Sequence, residues 1–208
     1  MAELPMPTMS QRMIAIGDTG SGKTYLLERM AAYYPEVQYV DLKGEFKPQV
    51  PHHTSKDLRQ AWKLHGHVLV RPSLKQDHRD WYEWYLMQLL QKRKDVVILV
   101  DEVYLLGGMN HTSYPPALAK LEVIGRSKKL PVWSGIQRPK FAPTVIFAQS
   151  EHWNIFPLSE TDLDVLKGWI PTEAIEAIRQ LKYDHGFVHV HKEKGGRKVF
   201  QTYAPLTV

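Results

Sequence analysis

The 208-residue sequence contains no cysteine. A disulfide framework, a thiolate metal site and a cysteine nucleophile are therefore excluded. Long hydrophobic runs are also missing, since the most apolar stretch, Val96–Val100, is far shorter than the roughly 20 residues that cross a bilayer. Residues 1–11 are rich in Pro and Met and lack the basic stretch and apolar core of a secretory signal. We therefore expect an intracellular protein with no membrane span.

Charge of one sign is only slightly in excess. Lys and Arg number 27 against 22 Asp and Glu, which gives a net charge of +5. This balance permits contact with nucleic acid but does not require it. The hydrophobic share of 43% and the charged share of 24% are typical of a globular chain rather than a disordered one. The length suits a single domain over residues 1–208.

Short apolar runs alternate with helical patterns along the chain. Examples of the runs are Met13–Ile16, Val96–Val100 and Val132–Ile136. This alternation predicts an α/β fold with a mostly parallel central sheet flanked by helices, and a core over about residues 12–165. The remainder, about residues 166–208, is predicted to form a helix and a C-terminal β-hairpin.

Polar and Pro-rich segments predict the local boundaries. The stretch Lys47–Thr54 is rich in Pro and His and is predicted to be a loop. Ser55 and Thr172 are predicted to be the N-caps of the helices that follow them. Ser159, with Asp162 three residues later, predicts a capping box at another helix start.

A glycine-rich motif joins the first predicted strand to the first predicted helix. The pattern G-x-x-x-x-G-K-[ST] is matched by Gly17, Asp18, Thr19, Gly20, Ser21, Gly22, Lys23 and Thr24. The glycines let successive N–H groups point at phosphates, and the helix adds its positive end. Lys23 supplies a cation for the terminal phosphates and Thr24 a hydroxyl for Mg²⁺. The strand–loop–helix context favours an ATP site over an ordinary glycine-rich turn.

Two carboxylates and an amide follow other predicted strands. Asp101 and Glu102 directly follow the run Val96–Val100. They are therefore expected at the sheet edge where open α/β folds bind ligands. Asp101 is predicted to hold Mg²⁺ through its water shell, and Glu102 to act as the general base for the attacking water. Gln137 would sense the γ-phosphate or orient that water. The alternatives are carboxylates that cap a turn and an ordinary polar residue at a strand end.

With further segments, these motifs resemble the FtsK/HerA superfamily of ring-forming, DNA-pumping ATPases. Tyr39–Glu45 is similar to the superfamily's hydrophobic strand followed by Asp-x-Lys-Gly-Glu, and Gly125–Arg126 with Pro131–Pro139 to its Gly-Arg, strand, Gln-Arg-Pro stretch. Ala148–Asp162 resembles the segment after it. The sequence departs from the pattern at Ile136, where many relatives have Thr.

The resemblance implies a RecA-like (ASCE) P-loop core whose cofactors are ATP and Mg²⁺. It also implies a homo-oligomeric ring, with a hexamer favoured, in which the nucleotide lies between subunits. Arg126 is then a candidate arginine finger for the adjacent subunit's γ-phosphate, a role that accelerates hydrolysis by about 10³–10⁵ in other enzymes. Lys128, Lys129 and Arg138 are alternatives, as is a solvated helix end.

The chain is close in length to a motor domain alone and so resembles the genome-packaging ATPases of tailless icosahedral viruses. The expected function is ATP-driven translocation of double-stranded DNA into a preformed capsid, in the host cytoplasm or in association with the virion. A capsid portal vertex is a further candidate partner. The alternatives are a conjugation or filamentous-phage-extrusion ATPase that works with a membrane complex, and a non-motor P-loop assembly factor.

Several segments are candidates for contact with DNA. Three basic clusters, Lys92–Lys94, Arg126–Lys129 and Lys192–Lys198, would bind the phosphate backbone unless they are ordinary solvated surface. The loop Gly107–Tyr114 is a candidate pore loop. The aromatic segment Trp81–Tyr85 is predicted to pack in a core and a subunit interface rather than to stack on bases.

Overall fold

The computed structural model describes residues 4–72, 79–107 and 114–205, which form a nine-stranded sheet covered by helices. Its strands are β1 (Met13–Ile16), β2 (Val37–Val40), β3 (His52–Ser55), β4 (His67–Val70), β5 (Val97–Val100), β6 (Val132–Ile136), β7 (His152–Ile155), β8 (Phe187–Lys192) and β9 (Lys198–Tyr203). Its α-helices are α1 (Lys23–Ala31), α2 (Leu58–Ala61), α3 (Arg79–Lys92), α4 (Pro116–Ile124), α5 (Thr144–Gln149), α6 (Glu160–Leu166) and α7 (Thr172–Arg179). Most of the candidate pore loop, residues 108–113, lies outside the described residues.

The strand order places β1 near the middle of the sheet. The order is β3-β4-β2-β5-β6-β1-β7-β8-β9, and β1 pairs in parallel with both β6 and β7. The strands from β3 across to β7 are all parallel, whereas β8 and β9 form an antiparallel hairpin. The predicted α/β fold, with its mostly parallel sheet and C-terminal hairpin, is thereby confirmed. We call the edge where the parallel strands end the carboxyl edge, and the opposite one the amino edge.

The central strands are buried on both faces because helices cover both sides of the sheet. Successive residues of a strand point to opposite faces, so Ile14 and Ile98 join one apolar cluster and Met13 and Val97 the other. Helices α3 and α4 pack in the first cluster, and α1 packs in the second. Within the described residues, we find no helix with the length and apolar character that crossing a membrane requires.

The predicted loop Lys47–Thr54 is wrong at its end, because residues 52–54 belong to β3. This strand is the outermost one on its side and pairs with β4 through its backbone. Its side chains are mostly exposed. No alternation of apolar and polar residues therefore marks it in the sequence.

Two predicted N-caps are also wrong by one or two residues. Asp57 rather than Ser55 caps α2, because the Asp57 side chain accepts a hydrogen bond from the backbone N–H of Arg59. Pro171 is the N-cap of α7, and Thr172 is already helical. The predicted cap at the start of α6 is confirmed, since the Ser159 side chain accepts from the Asp162 N–H.

Candidate nucleotide-hydrolysis site

The glycine-rich motif forms a tight loop that leaves β1 at the carboxyl edge and enters α1. Its start is fixed by a hydrogen bond from the Gly17 N–H to the Ile136 carbonyl of β6, at 3.1 Å. Gly20 and Gly22 have φ values of 76° and 105°, in the left-handed region that glycine adopts without strain. Gly22 is the N-cap of α1, so the amino end of that helix opens onto the loop. The loop therefore has the backbone form that phosphate binding needs.

Lys23 lies at the bottom of this loop. Its side chain is buried, and its Nζ donates to the carbonyl of Asp18 at 2.9 Å. Burial lowers the pKa of Lys23, although the charges of Glu102 and Asp101 oppose that shift. The loop borders a cavity of about 260 Å³. The cavity is lined by Thr19, Gly20, Gly22, Lys23, Thr24, Tyr25, Lys43, Glu45, Asp101 and Glu102.

Asp101 brings a buried carboxylate into the same cavity. It follows β5 directly, and its Oδ2 has no hydrogen-bond partner among the described residues. Burial, followed by the neighbouring Glu102 charge, raises the pKa of Asp101 to about 6. Gly135 of β6 leaves room for it, since a Cβ there would lie 2.8 Å from Asp101 Oδ1. The Asp101 carboxylate and the Thr24 hydroxyl, both on this cavity, are oxygen ligands of the kind that suit Mg²⁺.

Glu102 is held in an unusual backbone conformation. Its φ is 50°, a left-handed value that costs a residue other than glycine about 1–3 kcal/mol. The buried carboxylate accepts a hydrogen bond from the Gln137 backbone N–H at 3.2 Å through Oε2. Its Oε1 lies 3.5 Å from Lys43 Nζ. The carboxylate is thus fixed between the end of β6 and a cation.

Gln137 links β6 to the phosphate loop. Its side-chain Nε2 donates to the Thr19 hydroxyl at 2.5 Å. Its backbone N–H binds Glu102, so a single residue contacts both halves of the site. An amide in this position can respond both to what the loop binds and to the Glu102 carboxylate.

Lys43 is a site residue whose role the sequence did not reveal. Asp41, at the end of β2, accepts hydrogen bonds from the backbone N–H groups of Gly44 and Glu45, at 2.8 and 3.0 Å. The other oxygen of Asp41 binds Arg71 Nε at 2.5 Å. This turn directs Lys43 towards Glu102. The signal for it was the Asp-x-Lys-Gly-Glu stretch itself.

Arg126 lies apart from the phosphate loop of its own chain. It belongs to a 3₁₀ turn, Gly125–Lys128, that immediately precedes β6 and therefore lies at the amino edge. Its side chain is exposed, and the described residues include no partner for it. Arg126 is thus available to a neighbouring molecule and is not available to its own site.

The three alternative cations already have contacts within the chain. Lys128 Nζ donates to carbonyl groups at the end of α3, the nearest at 2.7 Å, and so caps that helix. Lys129 pairs with Asp95 at 3.3 Å. Arg138, which lies at the carboxyl edge, pairs with the buried Asp162 at 3.1 Å. Of the four cations, Arg126 is therefore the one with fewest competing interactions.

Comparison with known proteins adds sequence and fold similarity to this geometry. The chain is 29% identical over 182 residues to the DNA packaging ATPase P9 of Enterobacteria phage PRD1. This alignment covers 81% of this chain and 74% of P9. The chain resembles viral genome-packaging ATPases. The predicted resemblance and the assignment as an ATPase are thereby confirmed, whereas no family model matches the chain.

The fold of this chain also matches that of solved structures. The genome packaging NTPase B204 of Sulfolobus turreted icosahedral virus 2, in complex with ATP-γ-S, superposes with a TM-score of 0.75 at 17% identity over 97% of this chain and 100% of B204. VirB4 of Thermoanaerobacter pseudethanolicus superposes with a TM-score of 0.63 at 9% identity, over 95% of this chain and 89% of VirB4. These similarities concern the fold, and they confirm the predicted RecA-like α/β core.

Proposed function

We propose that this chain, acting as one P-loop domain, hydrolyses ATP to drive double-stranded DNA into a preformed viral capsid inside the host cell. The proposal rests on two observations together: Lys23, Asp101 and Glu102 line one cavity at the carboxyl edge, and the sequence is similar to the packaging ATPase P9 over most of the chain. The sequence match to P9 favours this function over the conjugation, extrusion and assembly-factor alternatives.

Each site residue has a defined part in the proposed hydrolysis. The loop Gly17–Thr24 and Lys23 bind the phosphates of ATP. Thr24 and Asp101 would hold Mg²⁺, which neutralises phosphate charge when bound. Glu102 accepts a proton from the attacking water, and Lys43 and the Gln137 N–H keep its carboxylate in place. Gln137 orients the water or reports the γ-phosphate to the phosphate loop.

The location of Arg126 supports a ring in which one subunit completes the site of the next. An arginine at the amino edge cannot serve the carboxyl edge of its own chain, so it acts in trans if it acts at all in hydrolysis. A homo-oligomeric ring, most simply a hexamer, supplies that neighbour. A capsid portal vertex is the expected point of attachment.

The three basic clusters lie at the amino edge, opposite the nucleotide cavity. Lys92–Lys94 precede β5, Arg126–Lys129 precede β6, and the segment from Lys192 to Lys198 joins the antiparallel strands β8 and β9 at that edge. Arg93 is already paired with Glu36 at 2.7 Å. Exposed lysines at this edge would bind the DNA backbone without reading its sequence, with an affinity that falls as salt rises.

The test is ATP hydrolysis and DNA translocation by the purified chain, with and without duplex DNA. Lys23→Ala is expected to abolish ATP binding. Glu102→Gln is expected to lower kcat by about 10²–10⁴ while ATP binding is kept, because the base is lost and the phosphate loop is intact. Glu173→Gln, an exposed change on α7, is the matched control.

Two results would contradict the proposal. Hydrolysis at the wild-type rate by the Glu102→Gln variant would exclude Glu102 as the base. If duplex DNA did not stimulate hydrolysis and was not moved by it, the chain would still be an ATPase but not a DNA motor.

A further inference from the structure

The segment before β8 reaches the same sheet edge as the phosphate loop. Because β8 is antiparallel to β7, with Val188 opposite Ile155, β8 begins where β7 ends. The residues from Tyr183 to Gly186 therefore lie at the carboxyl edge. They lie on the β7 side of β1, whereas Asp101 and Glu102 lie on the β6 side.

This segment lies beside the phosphate loop. A Cβ placed on Gly22 would lie 3.4 Å from His185 Nδ1 and 3.4 Å from a ring carbon of Phe156, the residue that follows β7. His185 has a φ of 69°, and the Asp184 carboxylate accepts a hydrogen bond from the Gly186 N–H at 3.1 Å. The turn is thereby fixed, and it places the imidazole beside the amino end of α1.

The aromatic ring that follows this turn in β8 is packed and buried, whereas the rings of the turn itself are exposed. Phe187 packs against Phe156 and Tyr203, with centroids 5.2 and 5.3 Å away. In contrast, His185 is exposed, and Tyr183 exposes 75% of its surface. Exposed aromatic rings on a fixed turn, next to a phosphate site, are suited to stack on a planar base.

The direction in which ATP lies across the site determines where its nucleobase would be. The groups that serve the terminal phosphate, Asp101, Glu102 and Gln137, follow β5 and β6. The nucleoside must then extend to the other side of β1, towards β7 and β8. We propose that Tyr183 and His185 form the base-binding part of the site and stack on the purine ring of ATP, an inference that rests on the proposed function.

A groove along α1 is the competing location. It has a volume of about 520 Å³ and is lined by Tyr25, Arg29 and Tyr33, among others. Most of its lining residues lie beyond the first turn of α1 and therefore farther from the phosphate loop than His185 is. Tyr33 exposes 78% of its surface, which makes it a matched aromatic control for Tyr183.

The experiment compares the binding of ATP with that of inorganic tripolyphosphate, both with Mg²⁺, by isothermal titration. Tyr183→Ala and His185→Ala are expected to raise the Kd of ATP about tenfold, because a stacking contact is lost. The same variants should leave the Kd of tripolyphosphate unchanged. Tyr183→Phe, which keeps the ring, should bind ATP like the wild type, as should Tyr33→Ala.

The outcomes separate this inference from the proposed function. Unchanged ATP affinity in both Tyr183→Ala and His185→Ala would overturn the base site, as would a loss of affinity in Tyr33→Ala alone, which would place the base in the α1 groove. Equal loss of ATP and tripolyphosphate affinity would also overturn it, because the effect would then concern the phosphate loop. If wild-type protein bound neither ligand, the proposed function itself would fail.

Discussion

Both edges of the sheet bury carboxylates next to cations, but the two sites differ in what can reach them. At the amino edge, Arg12 lies 3.5 Å from Glu122 of α4 and 3.2 Å from Glu151, which precedes β7. At the carboxyl edge, Asp101 and Glu102 lie near Lys23 and Lys43 on an open cavity. One set joins a helix to two strands, and the other lines an open cavity.

The comparison shows that a shifted pKa does not by itself identify a functional carboxylate. Burial raises the pKa of Glu122 to about 8, which is a larger change than the one at Asp101, to about 6. Glu122 is as buried as Asp101, but it is not among the described residues that line the cavity. What distinguishes Asp101 is that it lines the cavity together with the phosphate loop and Glu102.

The variant with the largest expected effect tests whether Arg126, at the amino edge of one subunit, takes part in hydrolysis at the carboxyl edge of a neighbouring subunit. Arg126→Ala should lower kcat by about 10³–10⁵, because an arginine that stabilises the transition state is lost. Mixing Arg126→Ala subunits with Lys23→Ala subunits should restore part of the activity, since some interfaces then combine an intact Arg126 with an intact phosphate loop. ATP hydrolysis of the mixtures is the measurement.

Two results would argue against this role. Normal DNA-stimulated turnover by a monomeric Arg126→Ala protein would exclude a trans-acting arginine. If the variant lost only DNA affinity, with a smaller dependence on salt, Arg126 would belong to the DNA-binding surface instead.

The next effect is on stability and concerns the amino edge. Arg12→Met should lower the free energy of unfolding by about 2–4 kcal/mol, because Glu122 and Glu151 lose the hydrogen-bonding cation that lies between them. Lys43→Met, at the half-exposed end of the other site, should lower it by less than about 1 kcal/mol and should instead reduce hydrolysis. Urea unfolding at neutral pH measures both, and similar losses of stability would remove the distinction between the two edges.

The smallest effect is a pH dependence. The pKa of Asp101 is raised in the folded chain, so the unfolded chain releases this proton first, and stability falls as pH rises from about 4 to 6. Asp101→Asn should remove this decrease and stabilise the nucleotide-free protein by about 1–3 kcal/mol above pH 6. Urea titrations between pH 4 and 8 would show it.

Glu122→Gln sharpens this result. It should also flatten the fall of stability, over a range that extends to about pH 8, because that carboxyl too has a raised pKa. Only Asp101→Asn should abolish hydrolysis. Loss of hydrolysis in Glu122→Gln would mean that the amino-edge carboxyl also serves the site.

The sequence predicted the site residues that directly follow central strands. Asp101 and Gln137 could be placed at one edge because the strands before them are short, apolar and parallel. The role of Lys43 could not be predicted, because it depends on a turn that Arg71 stabilises from 30 residues beyond Asp41. His185 could not be predicted either, because it reaches the phosphate loop only through the reversal of β8.

The fold was predictable where burial leaves a pattern and was missed where it does not. β5 and β6 are buried along their whole length and appear as apolar runs. β3 is exposed and is held by backbone pairing with one neighbour, so its sequence is that of a loop. Helix starts were misplaced by two residues at α2, where Ser55 and Asp57 are both capping residues, and by one residue at α7, where Pro171 takes the cap position.

The pairing of β1 has a mechanical consequence. This strand is hydrogen-bonded along its length on both sides, so the phosphate loop is attached to one of the stiffest parts of the molecule. If the proposed hydrolysis drives a movement, bending at that attachment cannot take it up. The movement would instead arise in the segments around Glu102 and Lys43, which follow β5 and β2, while β1 stays fixed.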